Sequence, residues 1–160
     1  MTGLDRFNAL PRNEAERLLA GFCASPVWAE RVARLRPFDT AGDAIRSAEE
    51  VWSRLSPGDW LEAFAAHPRI GDRASGVAAG EQSGIRGAPA EILAELAEAN
   101  REYEDRFGHV FLVCATGKSA EEMLAICRSR LHNDAPTELR NAAEEQRKIT
   151  RIRMEKFFDA

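Results

Sequence analysis

"FLVCATGKSAEEML", residues 111–124, decides how the rest of the chain is read. A short apolar run leads into Gly117-Lys118-Ser119, and a helical pattern follows. If this were a phosphate-binding loop, the run would be a strand and the fold α/β. That loop needs Gly-x-x-x-x-Gly-Lys-Ser/Thr, because its main-chain N–H groups must wrap around phosphates. The first of those glycines would fall at position 112, which is Leu112. No later apolar strand ends in an aspartate. The plainer reading is that Gly117 makes a turn, Lys118 is solvated, and Ser119 caps a helix with Glu122 as its capping-box partner. Val110 to Ala115 is then the only strand candidate. One short run cannot make a sheet, so an extended segment is expected in an otherwise helical protein.

The rest of the chain punctuates itself as helices. Asn13 with Glu16 suggests a capping box for "NEAERLLAGF". Ser25-Pro26 opens "PVWAERVARL" with proline at the first helical position. Thr40 can cap "AGDAIRSAEEVWSRL". Ser56-Pro57 repeats the device before "GDWLEAFAAH", and Pro68 bars that helix from continuing. "PAEILAELAEANREYEDRF" is long and amphipathic, with Gly108 suited to its C-terminal end. "AEEMLAICRSRLH" follows Ser119 and can end at Asn133. A last helix opens at Pro136 and runs to about Phe158, with Leu139, Ala142, Gln146, Ile149, Ile152 and Phe157 as its inner stripe. Between Pro68 and about Ala88 the pattern dissolves into a loop holding five glycines. Loops this long in a compact domain are usually functional or disordered. The expected fold is all-α: a single-domain bundle over residues 1–160, of about eight helices, with a long catalytic loop and one short extended segment.

Composition narrows the function. At 160 residues, with 44% hydrophobic and 30% charged residues, the chain suits one soluble globular domain. A formal net charge of −4 argues against a nucleic-acid partner. No window approaches a membrane span, and neither a signal peptide nor a lipidation or peroxisomal signal is read at the termini. Cys23, Cys114 and Cys127 have neither the parity of a disulfide framework nor the spacing of a zinc site. They read as reduced core residues of a cytoplasmic protein, and no metal site is expected.

Three positions could carry chemistry. His67 follows Trp60 and Phe64 at i+7 and i+3 on an apolar face, at the end of its helix and the start of the glycine-rich loop. Glu81, beside Gln82 in "GEQSG", sits in that loop. A histidine and a glutamate facing one cavity can act as a proton-transfer pair. Arg153 borders the inner stripe of the last helix, where a guanidinium can hold a carboxylate bidentately. The plainer alternatives are a core histidine, a solvated carboxylate and a snorkelling arginine.

Taken in order, "HPRIG" (67–71), "EQSG" (81–84), "RFGHVFLVCATGKSAEEML" (106–124) and "EEQRKITRIRME" (144–155) resemble the 2-oxo-4-hydroxy-4-carboxy-5-ureidoimidazoline (OHCU) decarboxylases. The likeness covers nearly the whole chain, from "FNALP" at 7–11. It implies a cofactor-free, all-helical and usually homodimeric carboxy-lyase. Such enzymes act on a small-molecule substrate in urate degradation, a branch of purine metabolism, and yield (S)-allantoin. It further implies that His67 and Glu81 are catalytic and that Arg153 binds a carboxylate. Pro68, the loop from about Ala78 to Gln82, and the main chain of Phe111, Leu112, Val113, Cys114 and Ala115 match the family's contacts to the ring and ureido groups. His109 departs from the Phe or Tyr of many relatives. The rival reading is a catalytically silent helical module docking on an enzyme of the same pathway; the enzyme reading requires His67, Glu81 and Arg153 to converge.

Overall fold

The computed structural model of the chain describes residues 1–71 and 80–159. Among the described residues there are eight α-helices, one short 3₁₀ turn and no strand, so the class is all-α as expected. Two compact units are formed. One is Met1–Ala63 with Gln146–Ala160, and the other is Phe64–Glu145.

In the first unit, α1 (Gly3–Ala9), α2 (Arg12–Ala20), α3 (Pro26–Arg34), α4 (Ala41–Ser53) and most of α5 (Pro57–Phe64) surround the last turns of α8 (Ala135–Asp159). Helix α1 was not foreseen. Thr2 accepts from the Asp5 amide and Asp5 bonds back to Thr2, a complete capping box at the very start of the chain. The box expected at Asn13 is absent: α2 begins at Arg12 after Pro11, with no side-chain cap. Ser25 and Thr40 do cap α3 and α4, accepting from the Trp28 and Asp43 amides. The core holds Phe7, Leu19, Trp28, Val32, Trp52 and Met154. Trp28 is held through both sides of its character: the ring packs in the apolar core, and Nε1 donates to the Ala48 carbonyl at 3.0 Å. Gly3 lets α1 touch α8 directly, since a Cβ there would lie 2.2 Å from the Phe157 carbonyl oxygen.

The second unit contains the 3₁₀ turn η1 (Ser83–Ile85), α6 (Ala90–Phe107), α7 (Ala120–Arg130) and the first turns of α8. Helix α6 packs on α7, and the core between them holds Leu96, Tyr103, Phe111, Val113, Met123 and Cys127. Gly108 ends α6 in the left-handed region at φ 79°, as its sequence position suggests. Ser119 and Glu122 form the expected capping box of α7. Residues 111–115 between these helices are buried and belong to no regular element, which is the extended segment anticipated above.

Two sequence readings fail here. Helix α5 stops at Phe64, three residues before His67; the His67 amide then bonds the Phe64 carbonyl in a terminal turn. The i, i+4, i+7 face drawn from Trp60 therefore does not include His67. The buried stripe of α8 also runs differently. It carries Glu138, Ala142, Gln146, Ile149, Met154 and Phe158, while Leu139, Ile152 and Phe157 are only partly buried. A carboxylate thus occupies the apolar face of a helix.

Candidate active site

The second unit holds most of the residues singled out by sequence. His67 and Pro68 are half-buried just past α5. The three residues that follow are pinned to one face of α6. Arg69 grips Glu104 through Nε and Nη2 at 2.7 and 3.0 Å. Asn100 Nδ2 donates to the Ile70 carbonyl at 2.8 Å. Gly71 adopts φ +94°, a conformation that strongly favours glycine, and comes up against Leu96. Leu96, Asn100 and Glu104 recur every four residues, so one stripe of α6 serves as the platform for "RIG" (69–71). The Asn100 side-chain oxygen is buried and carries no hydrogen bond among the described residues.

Gln82 closes the base of the glycine-rich loop. Its Oε1 accepts from the Gly71 amide at 3.2 Å, tying the end of the histidine stretch to the residue after Glu81. Both Glu81 and Gln82 are buried. Ala78 and Ala79, expected among the contacts of this loop, lie outside the described residues. Just beyond, Gly84 presses on the Lys118–Ser119 backbone; a Cβ would lie 1.9 Å from the Lys118 carbonyl oxygen. Only glycine permits that approach.

The extended segment is held by side chains rather than by neighbouring strands. The Leu112 carbonyl accepts from Arg130 Nη1 at 2.6 Å. The Cys114 amide donates to Glu145 Oε1 at 3.0 Å, and the Cys114 carbonyl accepts from Lys118 Nζ at 2.6 Å. Lys118 is therefore not the solvated side chain the sequence suggested: it reaches back across its own turn. In an extended chain successive residues present their main-chain groups to opposite edges. On the edge of Leu112 and Cys114, the Leu112 carbonyl and both main-chain groups of Cys114 are occupied. On the other edge, the N–H and C=O of Phe111 and Val113 and the N–H of Ala115 bond to nothing among the described residues.

Arg130 owes its position to a buried polar network. Glu138 is fully buried, pairs with Arg130, accepts from the Tyr103 hydroxyl at 2.5 Å, and accepts from Asn133 and Asn141 at 3.1 and 3.2 Å. The guanidinium also lies over the Phe111 ring, 4.9 Å from its centroid. Burial pushes the Glu138 carboxyl up, but the Arg130 and Tyr103 hydrogen bonds and the Arg130 charge outweigh it and hold it below its ordinary value. Burial and the neighbouring carboxylate push the Tyr103 hydroxyl well above the usual tyrosine range. His109 fills an aromatic slot, its ring 5.6 Å from those of both Phe64 and Tyr103. An imidazole is a conservative occupant of a position packed on three rings, since Phe107 also stacks on it.

Arg153 lies in the first unit, partly buried, with Nη1 donating to the Phe22 carbonyl at 3.0 Å. Cys23, Cys114 and Cys127 are buried free thiols, as expected. No cluster of three metal-ligating side chains occurs among the described residues, and no helix is long and apolar enough to cross a membrane.

Comparison with known proteins decides the family. The model of the OHCU decarboxylase family matches residues 8–155. The chain belongs to the OHCU decarboxylase family. A crystal structure of OHCU decarboxylase in the presence of (S)-allantoin superposes with a TM-score of 0.82 at 38% identity, covering 88% of this chain and 96% of that one. An OHCU decarboxylase of Amia calva is 30% identical over 138 residues, covering 81% of this chain and 79% of that protein. A uric acid degradation bifunctional protein of Arabidopsis thaliana is 37% identical over 146 residues. The chain spans 45% of the length of that bifunctional relative.

Family membership leaves the supporting residues unexplained. Asn100, Glu104, Lys118, Arg130, Glu138 and Glu145 were not singled out by sequence as parts of the site. One of them left a trace: Met123, Cys127 and Arg130 stand at i, i+4 and i+7, which puts a guanidinium on the apolar face of α7.

Proposed function

We propose that the chain is a cofactor-independent carboxy-lyase that converts OHCU to (S)-allantoin in urate degradation. The observation that carries this reading is the Gly71–Gln82 closure. It ties the stretch after His67 to the residue beside Glu81, in the same compact unit as the extended segment, one edge of which bonds to nothing among the described residues. The family match over residues 8–155 supports both the reaction and the reading of residues 1–160 as one functional domain.

The chemistry asks little of a cofactor. Loss of CO2 leaves an electron pair on the ring carbon, and the adjacent C=N and C=O of the substrate can take it up, so no thiamine or pyridoxal sink is needed. The protein has to orient the leaving carboxylate, stabilise the enolate-like intermediate and deliver one proton to one face. In this proposal His67 and Glu81 handle the substrate hydroxyl and the proton transfers. Arg153 holds a carboxylate. Pro68, Gln82 and the main chain of residues 111–115 receive the ring and ureido groups. Gln82 has its oxygen engaged by Gly71, so its amide NH2 is the end available to donate. A homodimer and a cytoplasmic location belong to the same proposal and rest on the family likeness.

The test is stereochemical. OHCU is generated in situ from urate, and allantoin optical activity is followed with and without the protein. Accelerated formation of one enantiomer is expected. A rate equal to the spontaneous one, with racemic product, would overturn the assignment.

A further inference from the structure

Three charged side chains converge on the extended segment from one edge only. Arg130 holds the Leu112 carbonyl, Lys118 holds the Cys114 carbonyl, and Glu145 holds the Cys114 amide. They come from three places in the fold: the end of α7, the turn before it, and α8. An isolated extended chain has no partners to fix its twist or register, because a strand normally takes these from its neighbours. Here charged side chains substitute for a neighbouring strand. Hydrogen bonds to ionised groups are roughly twice as strong as neutral ones, and those to the Leu112 and Cys114 carbonyls are short.

We propose that Arg130, Lys118 and Glu145 form a clamp and are positioning residues for the substrate. By gripping the edge of Leu112 and Cys114, they present the opposite edge, the N–H and C=O of Phe111 and Val113 and the N–H of Ala115, in a fixed geometry to a planar amide-bearing ligand. None of the three touches the substrate; they act through the main chain. Gly84 reinforces the arrangement, because its contact with the Lys118 carbonyl locks the turn carrying Lys118 against the segment that follows Glu81 and Gln82. Arg130 is itself held by Glu138 and Tyr103, so the clamp extends into the core.

These roles presuppose the allantoin-forming reaction proposed above. The experiment therefore starts with the unmodified enzyme; racemic allantoin there would refute the reaction, and the clamp with it. Given an active enzyme, Lys118→Met, Lys118→Arg and Arg130→Lys are compared with it. The readouts are KM, kcat, the Kd of (S)-allantoin by titration calorimetry, and the thermal midpoint. Lys118→Met is expected to raise KM and the allantoin Kd together, by about tenfold, the equivalent of one such hydrogen bond. Its kcat should stay within about twofold and its pH profile should not move, since chemistry rests with other groups. Lys118→Arg should recover most of the loss. Arg130→Lys keeps a charge opposite Glu138 but loses the fork that reaches Leu112, and should show the same KM-led pattern. Unchanged KM and Kd in folded Lys118→Met and Arg130→Lys would sink the clamp while leaving the reaction standing. A purely structural role would lower the midpoint and leave both constants alone.

Discussion

Replacing Glu138 by alanine tests the centre of the second unit. The carboxylate is fully buried and accepts from four donors: Arg130, the Tyr103 hydroxyl, Asn133 and Asn141. Asn133 and Asn141 are half-buried and can turn to water. Arg130 and Tyr103 are buried and cannot. An orphaned buried hydroxyl costs about 1–3 kcal/mol. Removing one partner of a buried ion pair costs about 3–5 kcal/mol, because a charge is left uncompensated. The two estimates overlap rather than add, so about 3–5 kcal/mol is expected for Glu138→Ala. At this chain length each kcal/mol moves the melting midpoint by about 2–4 °C, giving a fall of about 6–20 °C. Thermal and urea unfolding monitored by circular dichroism measure it. A loss under about 1 kcal/mol would show that the network is solvated and the reasoning wrong.

The same network predicts a pH dependence whose sign is fixed. The Glu138 carboxyl is held below its ordinary value of 4.5, despite burial, by its bonds to Arg130 and Tyr103. Between the folded and unfolded values the native state therefore binds fewer protons than the unfolded chain. The resulting stability is fully present above the unfolded value and disappears as pH falls through the folded one. Glu138→Gln has no such proton to bind. The gap in urea midpoint between wild type and Glu138→Gln should narrow from about pH 6 to about pH 3. A gap that stays constant would show that the carboxyl titrates alike in both states.

Other outcomes are expected. His67→Asn should abolish turnover and leave the circular dichroism spectrum and midpoint unchanged; near-wild-type activity would remove His67 from its role. Gly84→Ala puts a Cβ 1.9 Å from the Lys118 carbonyl oxygen, and should cost about 1–3 kcal/mol by overpacking. It should also lower kcat/KM, because Glu81 and Gln82 move with the turn; an alanine variant of wild-type stability and activity would refute the close approach. Cys23 and Cys127, their thiols pushed up to about 11 and about 12 by burial, should resist iodoacetamide in the native protein near neutral pH and react once it unfolds. Rapid native labelling at either, located by mass spectrometry, would contradict their burial.

What could be read from the chain follows from what is local. Ser25, Thr40 and Ser119 cap helices through bonds to residues three positions on, so their signatures lie within one turn of sequence. The end of α5 was misplaced because Pro68 forbids helix at the residue before it without saying where the helix stops; the chain left the helix at Phe64. The roles of Lys118 and Arg130 are hidden from the sequence for a different reason. A charged residue is taken as solvated by default, and only the folded chain shows a carbonyl within its reach. Glu138 is the extreme case: its partners Tyr103 and Arg130 lie 35 and 8 residues away, and nothing within its own turn announces a buried carboxylate.

The two kinds of main chain in this protein divide the labour. Helices satisfy their own N–H and C=O groups and have little to offer a ligand except at their ends. Residues 111–115 escape that constraint, but a bare buried backbone is unfavourable unless each polar group finds a partner. Arg130, Lys118 and Glu145 meet the requirement for three groups on one edge, the Leu112 carbonyl and the Cys114 amide and carbonyl. On the other edge, the N–H and C=O of Phe111 and Val113 and the N–H of Ala115 bond to nothing among the described residues, and the proposed function assigns them to the ring amide and ureido group of the substrate. In that proposal the run that resembles a broken nucleotide loop is a recognition segment without a sheet. Two of its three charged partners, Arg130 and Glu145, lie 18 and 31 residues from the groups they hold, so loss of ligand affinity and loss of fold are separated by conservative variants of the clamp, such as those at Lys118, and not by removing Glu138.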